Sequence, residues 1–334
     1  MSVKWHVEPT TTPLGSHNDK AFKQTGELAS GVREIVQGPI DQALANCQDV
    51  VDVCFRFESI NGNGPNEYLN QGSIDSWLTQ LTMPITPRHR QCVPIVDESV
   101  LDCFDPLRVL HVEDNLKIGI KGRHDQFDAD EDENGIPNEE SQKNIFLYLF
   151  RILALSMPTK GRGGSWGFGK LATYLMSKFR TAFHVSTYED EDGKIRRFAL
   201  GQAHWKNRKL TPTREWRDAG KPIGADGRIN YSPVIWFGKK ELHTKGDPKT
   251  WMPLDSDEEI DALCKSFQID RPLTKMGTSI MIPCPHDHIT GNSIAQAILA
   301  NYAVAIRRGV LTVQIEDGDF NITLDKLSIM EVIS

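Results

Sequence analysis

The stretch VREIVQGPIDQAL, residues 32–44, places apolar side chains at helical spacing and then interrupts the pattern with Gly38 and Pro39. In a helix interior, Gly costs about 1 kcal/mol and Pro about 3 kcal/mol relative to Ala. The flanking apolar residues still predict one helix, which runs from near Asn18 toward Cys47. Two poor helix formers side by side make it worth seeking a compensating purpose. The polar residues around this pair are therefore the first candidates for a functional site.

The composition indicates a globular protein, because 39% of its 334 residues are hydrophobic and 25% are charged. The formal net charge of −7 disfavours a basic nucleic-acid-binding domain, so we expect nucleic acid only through a partner or a local patch. The six cysteines include no C-x-x-C pair, and the first residues lack a signal sequence, which predicts a cytoplasmic location. The longest apolar run, residues 145–155, is too short to cross a bilayer, and we expect no membrane partner.

Alternating patterns predict strands, and capped apolar patterns predict further helices. The predicted strands are residues 50–58, 107–114, 233–237, 278–283 and 310–315, with a hairpin over 182–203 that turns at Glu191, Asp192 and Gly193, and the predicted helices are residues 138–157 and 293–308. Residues 206–253 are polar and rich in Trp, Pro and Gly, and we interpret them as an insertion.

The glycine-rich turn GRGGSWGFGK, residues 161–170, has the glycine and lysine spacing of a phosphate-binding P-loop. The next residue is Leu171, where a P-loop needs a hydroxyl group for Mg²⁺, and the preceding segment is predicted as helix rather than strand. Both departures argue against a P-loop. The aromatic residues Trp166 and Phe168 between the glycines indicate a turn that folds onto other parts of the protein.

The same glycines belong to a series of four motifs in chain order. Glu34 and Asp41 frame the first motif, VREIVQ and IDQA; the second is VEDNLKIGIKG with Asp114; the third is GGSWGFGK; the fourth is GTSIMIP with Gly277 and Thr278. In this order the motifs resemble the GHKL superfamily of ATPases, which includes gyrase, heat-shock chaperones, histidine kinases and MutL. The likeness spans about residues 20–315 and is greatest to MORC-related ATPases of bacterial defence and restriction systems.

The resemblance implies an α/β (α+β) two-layer sandwich of the GHKL type. In such a fold a mixed sheet carries helices on one face, and a glycine-rich lid, here residues 119–169, closes over ATP. We expect the ATP-binding domain to span residues 1–320 with the insertion at about 206–253. Residues 321–334 would then begin a truncated or missing C-terminal region.

The resemblance also implies roles for individual residues. Glu34 would act as general base on the water that attacks the γ-phosphate. Asp114 would accept a hydrogen bond from the exocyclic amine of adenine, and Gly119 and Gly122 would let the backbone approach the base. The remaining nucleotide contacts would come from the glycine-rich turn and from the fourth motif: Gly164, Ser165, Trp166, Gly167, Phe168, Gly169 and Lys170, followed by Gly277 and Thr278.

The first motif departs from the family at one position. Four residues after the base the family usually has an Asn that helps to hold Mg²⁺, and this chain has Gly38. The Gly-Pro pair would alter the helix so that Gln37, Asp41 or a backbone carbonyl reaches the metal. Three accounts stay open: a substitute ligand holds Mg²⁺, the nucleotide binds with slow or no hydrolysis, or ATP serves only as a structural clamp.

The resemblance therefore implies an ATP-binding and ATP-hydrolysing conformational switch, with ATP and Mg²⁺ as cofactors, in a multi-component bacterial anti-phage defence or restriction system. It also implies ATP or ADP as ligands, a protein partner or a C-terminal transducer region, and a nucleotide-dependent homodimer. The alternative is a non-hydrolysing nucleotide-binding interaction module that uses residues 206–253 as its binding surface.

Two other clusters carry weaker metal signals. Asp128, Asp130, Asp132 and Glu139 fit part of a calcium-binding loop, but Glu133 stands where that loop needs Gly, so we expect a solvated acidic loop. Cys284, His286 and His288 are ligand types for zinc, but the spacing offers no fourth ligand.

Overall fold

The computed structural model describes residues 4–6, 9–10, 27–45, 50–61, 106–116, 118–126, 129–131, 137–151, 170–204, 208–210, 212, 214–221, 223–225, 227–231, 234–241 and 250–329. The strands are β1 (Lys4–His6), β2 (Pro9–Thr10), β3 (Val51–Ile60), β4 (Leu107–Asp114), β5 (Thr181–Glu189), β6 (Ile195–His204), β7 (Arg208–Leu210), β8 (Ile229–Tyr231), β9 (Val234–Glu241), β10 (Thr250–Met252), β11 (Gly277–Pro283), β12 (Leu311–Asp317) and β13 (Phe320–Leu324). The helices are α1 (Glu27–Ala45), α2 (Glu139–Lys143), α3 (Lys170–Leu175), α4 (Arg214–Asp218), α5 (Asp257–Ser266) and α6 (Gly291–Arg307), with a π-helical turn at Leu147–Arg151.

A large mixed sheet organises the fold. Its strands follow the order β1-β9-β6-β5-β11-β4-β3-β12-β13, and β10 pairs with β9. Among the described strands, β3 and β12 pair in parallel and the other neighbours pair antiparallel. A smaller sheet has the order β2-β8-β7. The predicted class, α and β structure around a mixed sheet, is confirmed at this level.

Helices α1, α3 and α6 cover one face of the large sheet. Alternate residues of β3, Val51, Val53 and Phe55, point into this layer and are at most 2% exposed. From the helices, Val32 of α1 and Ile298 of α6 enter the same core. Burial of this stripe explains why α1 forms although its sequence contains Gly and Pro, because packing outweighs intrinsic helix propensity.

Helix α5 covers part of the opposite face, so the expectation of helices on one face is wrong. Its apolar residues Ile260, Leu263 and Cys264 lie at helical spacing and pack in a second core with Val109 of β4 and Met281 of β11. The central strands are consequently buried on both sides: β5 is buried at every position except its last. Strands of this kind cannot show a simple alternation of apolar and polar residues.

Several predicted elements are confirmed with shifted ends. Strand 107–114 has the predicted bounds, and the hairpin turns at residues 191–193 as expected. The predicted helix 293–308 begins earlier, at Gly291, because Thr290 is its N-cap and forms a capping box with Ser293.

The predicted helix 138–157 starts as expected, with Asn138 as its N-cap, but it breaks at Asn144. The Asn144 side chain binds backbone and side-chain groups instead: its Oδ1 accepts from the Leu147 N–H, and its Nδ2 donates to the Arg123 carbonyl and to Gln126. A side chain that competes for backbone partners in this way interrupts a helix. Residues 152–157 lie outside the described part of the chain, and the domain bounds proposed from the sequence stay predictions.

Candidate functional site

Helix α1 carries the first set of candidate residues on one side. Glu34, Gln37, Gly38 and Asp41 follow a spacing of three, four and seven residues, which brings them to the same face. All four are partly exposed, whereas Val32 and Val36 are 0% exposed and anchor the helix in the core. The helix runs without interruption through Gly38 and Pro39, and a Cβ at position 38 would meet no atom of the described residues within 4 Å.

The polar groups on this face of α1 contact one another. Gln37 Nε2 donates to Asp41 Oδ1 at 2.7 Å, and Glu34 Oε1 accepts from Arg33 at 3.1 Å. The Tyr302 hydroxyl of α6 donates to the Arg33 carbonyl at 2.7 Å. Burial raises the pKa of Tyr302, and the Glu34 carboxylate raises it further. The face therefore gathers two carboxylates and an amide beside a protonated phenol.

Asp114, at the end of β4, occupies the most constrained position of the second motif. Its Oδ1 accepts from the backbone N–H groups of Leu116 and Thr278, each at 3.0 Å. Within the described part of the chain, its Oδ2 accepts no hydrogen bond. Burial raises the pKa of Asp114 to about 6, while Arg271 and the two N–H donors oppose that rise. Among the described residues, Asp114 is thus a carboxylate with one oxygen held by two backbone donors and the other without a donor.

Thr278 and Ser186 extend this position across the sheet. Thr278 of β11 lies opposite Ser186 of β5, and their hydroxyl oxygens are 3.4 Å apart. Ser186 Oγ also accepts from the Ile120 N–H at 2.7 Å, so it ties the chain after Asp114 to the sheet. Both hydroxyl residues are buried, at 4% and 0% exposure. We use the name polar row for the three side chains that lie next to one another across β4, β11 and β5: Asp114, Thr278 and Ser186.

Gly277 allows the close approach between β11 and β4. Its φ is +114°, and a Cβ there would collide with the carbonyl and carboxylate oxygens of Asp114. Only Gly tolerates both the backbone conformation and the contact. Gly277 and Thr278 of the fourth motif therefore lie directly beside Asp114 of the second motif.

Gly119 and Gly122 also adopt positive φ, at +52° and +137°. A Cβ at Gly119 would meet Ser186 and Thr187, and one at Gly122 would meet Asn144. Protein atoms therefore fill the space beside both glycines, and each has a packing role in addition to the proposed approach to a base.

Arg271 belongs to this site and was missed in the sequence. Its guanidinium contacts the backbone on both sides of the Asp114–Thr278 pair. The segment RPLTKMG reads as an ordinary polar loop, since a buried arginine has no signature in one sequence. The one weak indication in the sequence is an arginine that stands a few residues before the Gly-Thr pair at the start of a strand.

The third motif lies mostly outside the described residues. Gly164, Ser165, Trp166, Gly167, Phe168 and Gly169 fall there, and Lys170 is described only as the first residue of α3. The segment after the motif packs closely on α1: Gly31 lies so near Met176, just after α3, that a Cβ at position 31 would overlap its sulfur. The chain leaving the glycine-rich segment is therefore in direct contact with the helix that carries the first motif.

Elements that carry the first, second and fourth motifs share one core. Ile35 of α1, Val112 and Leu116 around Asp114, and Ile282 of β11 belong to the same buried cluster. The elements that carry the α1 face and the polar row are thus packed on the same hydrophobic core, although they come from separate parts of the chain.

A cleft of about 330 Å³ lies near Lys121, Asn144 and Tyr188, outside the polar row. Of the described candidate nucleotide contacts named above, none belongs both to the polar row and to this cleft.

The structure gives the two candidate metal clusters no support. In the part of the chain that is described, no three His, Cys, Asp or Glu side chains are grouped as metal ligands, so Cys284, His286 and His288 form no zinc cluster there. Asp128 and Asp132 lie outside the described residues. No described helix is long and apolar enough to span a membrane.

In comparisons with known proteins, no family model matches the chain, and no curated protein matches it.

Proposed function

We propose that the protein binds adenine nucleotides at the polar row and acts as an ATP-driven conformational switch of the GHKL kind. The carrying observation is Asp114: one carboxylate oxygen is fixed by two backbone donors, and the other has no hydrogen bond among the described residues. An exocyclic amine supplies the donor that this oxygen lacks. The keto oxygen of guanine, at the matching position, would face the carboxylate as a second acceptor.

The ionisation of Asp114 supports a functional role. Its pKa of about 6 lies above the ordinary value of 3.8, so the folded state holds the proton more tightly than the unfolded state between these values. Ionisation of Asp114 therefore lowers the stability of the protein as the pH rises through that range. A buried carboxylate whose ionisation costs folding stability, and which has an oxygen without a donor among the described residues, is typical of a binding site.

Helix α1 would supply the reacting end of the site. The side chain of Glu34 is 20% exposed, so it could take a proton from a water molecule at the γ-phosphate. Gln37 Nε2 already donates to Asp41, which leaves the amide oxygen of Gln37 and the second carboxylate oxygen of Asp41 as oxygen ligands. This donor set fits Mg²⁺, which neutralises phosphate charge when bound.

Nucleotide binding would change the shape of the protein through the segment between the second and third motifs. The Gly119–Gly122 segment is tied to the sheet at Ser186, and α3 follows the glycine-rich turn. We propose that ATP binding promotes association with a second copy or a partner protein. Its place in an anti-phage defence or restriction system rests on the four-motif resemblance alone.

Isothermal titration calorimetry with ATP, ADP and GTP tests the proposal. We expect the two adenine nucleotides to bind in the micromolar to millimolar range and GTP to bind more weakly. A folded Asp114→Ala protein should lose this binding, while Asp52→Ala, which changes an exposed aspartate of β3, should keep it. Equal affinity of wild type and Asp114→Ala for ATP would refute the assignment.

A non-hydrolysing module is the second candidate, favoured by the absence of any side chain at Gly38 and by the pairing of Glu34 with Arg33. Phosphate release separates the two functions. Nucleotide binding without ATP-dependent phosphate release supports the module, and turnover that depends on Glu34 supports the ATPase.

A further inference from the structure

Arg271 is a deeply buried charged residue next to the polar row. Its side chain is 0% exposed and lies in the segment between α5 and β11. Burial lowers its pKa, and the carboxylates of Asp114 and Glu113 oppose that shift. A guanidinium without solvent is stable only if its donors are satisfied, and five N–H groups in a planar fork demand several acceptors.

Those acceptors lie on both strands of the candidate site. One terminal nitrogen of Arg271 donates to the carbonyls of Asp114 at 3.2 Å and Thr278 at 3.0 Å. The other donates to the Met276 carbonyl at 2.8 Å, and Nε donates to Ser279 Oγ at 2.9 Å. The guanidinium thereby joins the end of β4 to the start of β11. It lies beside Gly277, where the lack of a side chain leaves room for it.

The charges around this junction are arranged on two sides of the sheet. Glu113 and Asp114 are consecutive in β4 and so point to opposite faces. Lys275 binds Glu113 at 2.7 Å, and Arg271 lies 3.5 Å from the same carboxylate. Among the described residues, the charged groups that act on Asp114 are Arg271, which lowers its pKa, and Glu113, which raises it.

We propose that Arg271 is a positioning residue for nucleotide binding, an inference that rests on the proposed function. Its fork holds the carbonyls of Asp114 and Thr278 at a fixed separation, so that the open oxygen of Asp114 and the Thr278 hydroxyl present one rigid edge to the base. Lysine has the charge but not the planar fork, and it cannot join four acceptors in the same way.

Three variants test this role in the full chain: Arg271→Lys, Arg271→Met and Ser279→Ala, which removes the acceptor of Nε. Arg108→Lys is the matched control, because Arg108 binds Asp317 and the Ile289 carbonyl at the other end of β4. We expect Arg271→Lys to weaken ATP binding on the order of tenfold, the equivalent of one charge-assisted hydrogen bond. Arg108→Lys should bind like wild type.

A pH series provides a readout that a purely structural role would not change. Arg271→Met removes the nearby positive charge, so its midpoint for the pH dependence of ATP binding should move upward from that of wild type. Arg271→Lys keeps the charge, so its midpoint should stay near the wild-type value while its affinity falls. Ser279→Ala is the mildest change, and it should weaken binding even if both arginine variants fail to fold.

The outcomes separate this inference from the proposed function. If wild type binds no adenine nucleotide, the proposed function fails and the role of Arg271 fails with it. If wild type binds ATP, but the folded variants at positions 271 and 279 bind with wild-type affinity and an unchanged pH midpoint, only the positioning role is overturned.

Discussion

At the scale of single residues, the surroundings of Asp114 set both the orientation and the pKa of its carboxyl group. Two N–H groups fix one carboxylate oxygen, burial raises the pKa, and a neighbouring Arg271 restrains the rise. The result is a carboxyl group that changes its charge near pH 6 rather than near pH 4. Its protonation state therefore matters within an accessible range of pH.

The affinity for ATP should fall as the pH is lowered through about 6, because protonated Asp114 offers the adenine amine a donor instead of an acceptor. Calorimetry between pH 5 and 8 measures this dependence. Asp114→Asn, which cannot titrate, should bind weakly at every pH. A wild-type affinity that is constant across this interval would exclude Asp114 from the adenine contact.

Glu34→Gln should retain ATP binding and lose hydrolysis, because a general base contributes on the order of 10²–10⁴-fold to the rate and little to ground-state affinity. Phosphate release and calorimetry on the same preparation give the two quantities. Glu258→Gln, an exposed change in α5, is the control. Hydrolysis by Glu34→Gln at the wild-type rate would show that another group activates the water.

At the scale of elements, α1 and the junction of β4 with β11 carry the candidate site, and each depends on a glycine for a different reason. No atom of the described residues lies within 4 Å of a Cβ at Gly38, whereas Gly277 has a positive φ and no room for a Cβ. A substitution at Gly38 therefore tests chemistry, and a substitution at Gly277 tests geometry.

Gly38→Asn should strengthen the Mg²⁺-dependent part of ATP binding by supplying an amide oxygen four residues after Glu34. Gly38→Ala is the matched control, since both changes remove backbone freedom from the unfolded chain. From helix propensity, the Asn variant should gain a few tenths of a kcal/mol of stability and the Ala variant about 1 kcal/mol. Affinities measured with Mg²⁺ and with EDTA separate the two effects. Equal Mg²⁺ dependence in the Asn and Ala variants would mean that the amide does not reach a metal.

Gly277→Ala should destabilise the protein by more than about 1 kcal/mol and abolish ATP binding, because the new methyl group would displace Asp114. Gly318→Ala places a side chain on a residue whose φ is also positive, +60°, but its Cβ would have no atom of the described residues within 4 Å, so this variant reports backbone strain. Thermal unfolding and calorimetry compare the two variants. The same loss in both would remove the special role of the junction.

At the scale of the whole molecule, one sheet joins the candidate motifs. Strand β11 lies between β4 and β5, so that the second and fourth motifs, which are far apart in the chain, meet in register. Helix α1 and the end of β4 also share one buried core on the same face of the sheet. The site therefore depends on sheet order rather than on any local stretch.

The sequence predicted those parts of the fold that have a local cause. The alternation in residues 107–114 and the turn residues at 191–193 gave correct elements, since period and turn chemistry act over a few residues. The break at Asn144, the second-face helix α5 and the burial of Arg271 depend on partners distant in the chain. No pattern in one sequence encodes those contacts.

A crystal structure with ADP and Mg²⁺ tests the central claim most directly. We predict the adenine amine within hydrogen-bonding distance of Asp114 Oδ2, with the base beside Thr278 and the phosphates directed toward α1. Nucleotide bound elsewhere, for example in the cleft near Lys121 and Asn144, with Asp114 unchanged in its contacts, would contradict the account.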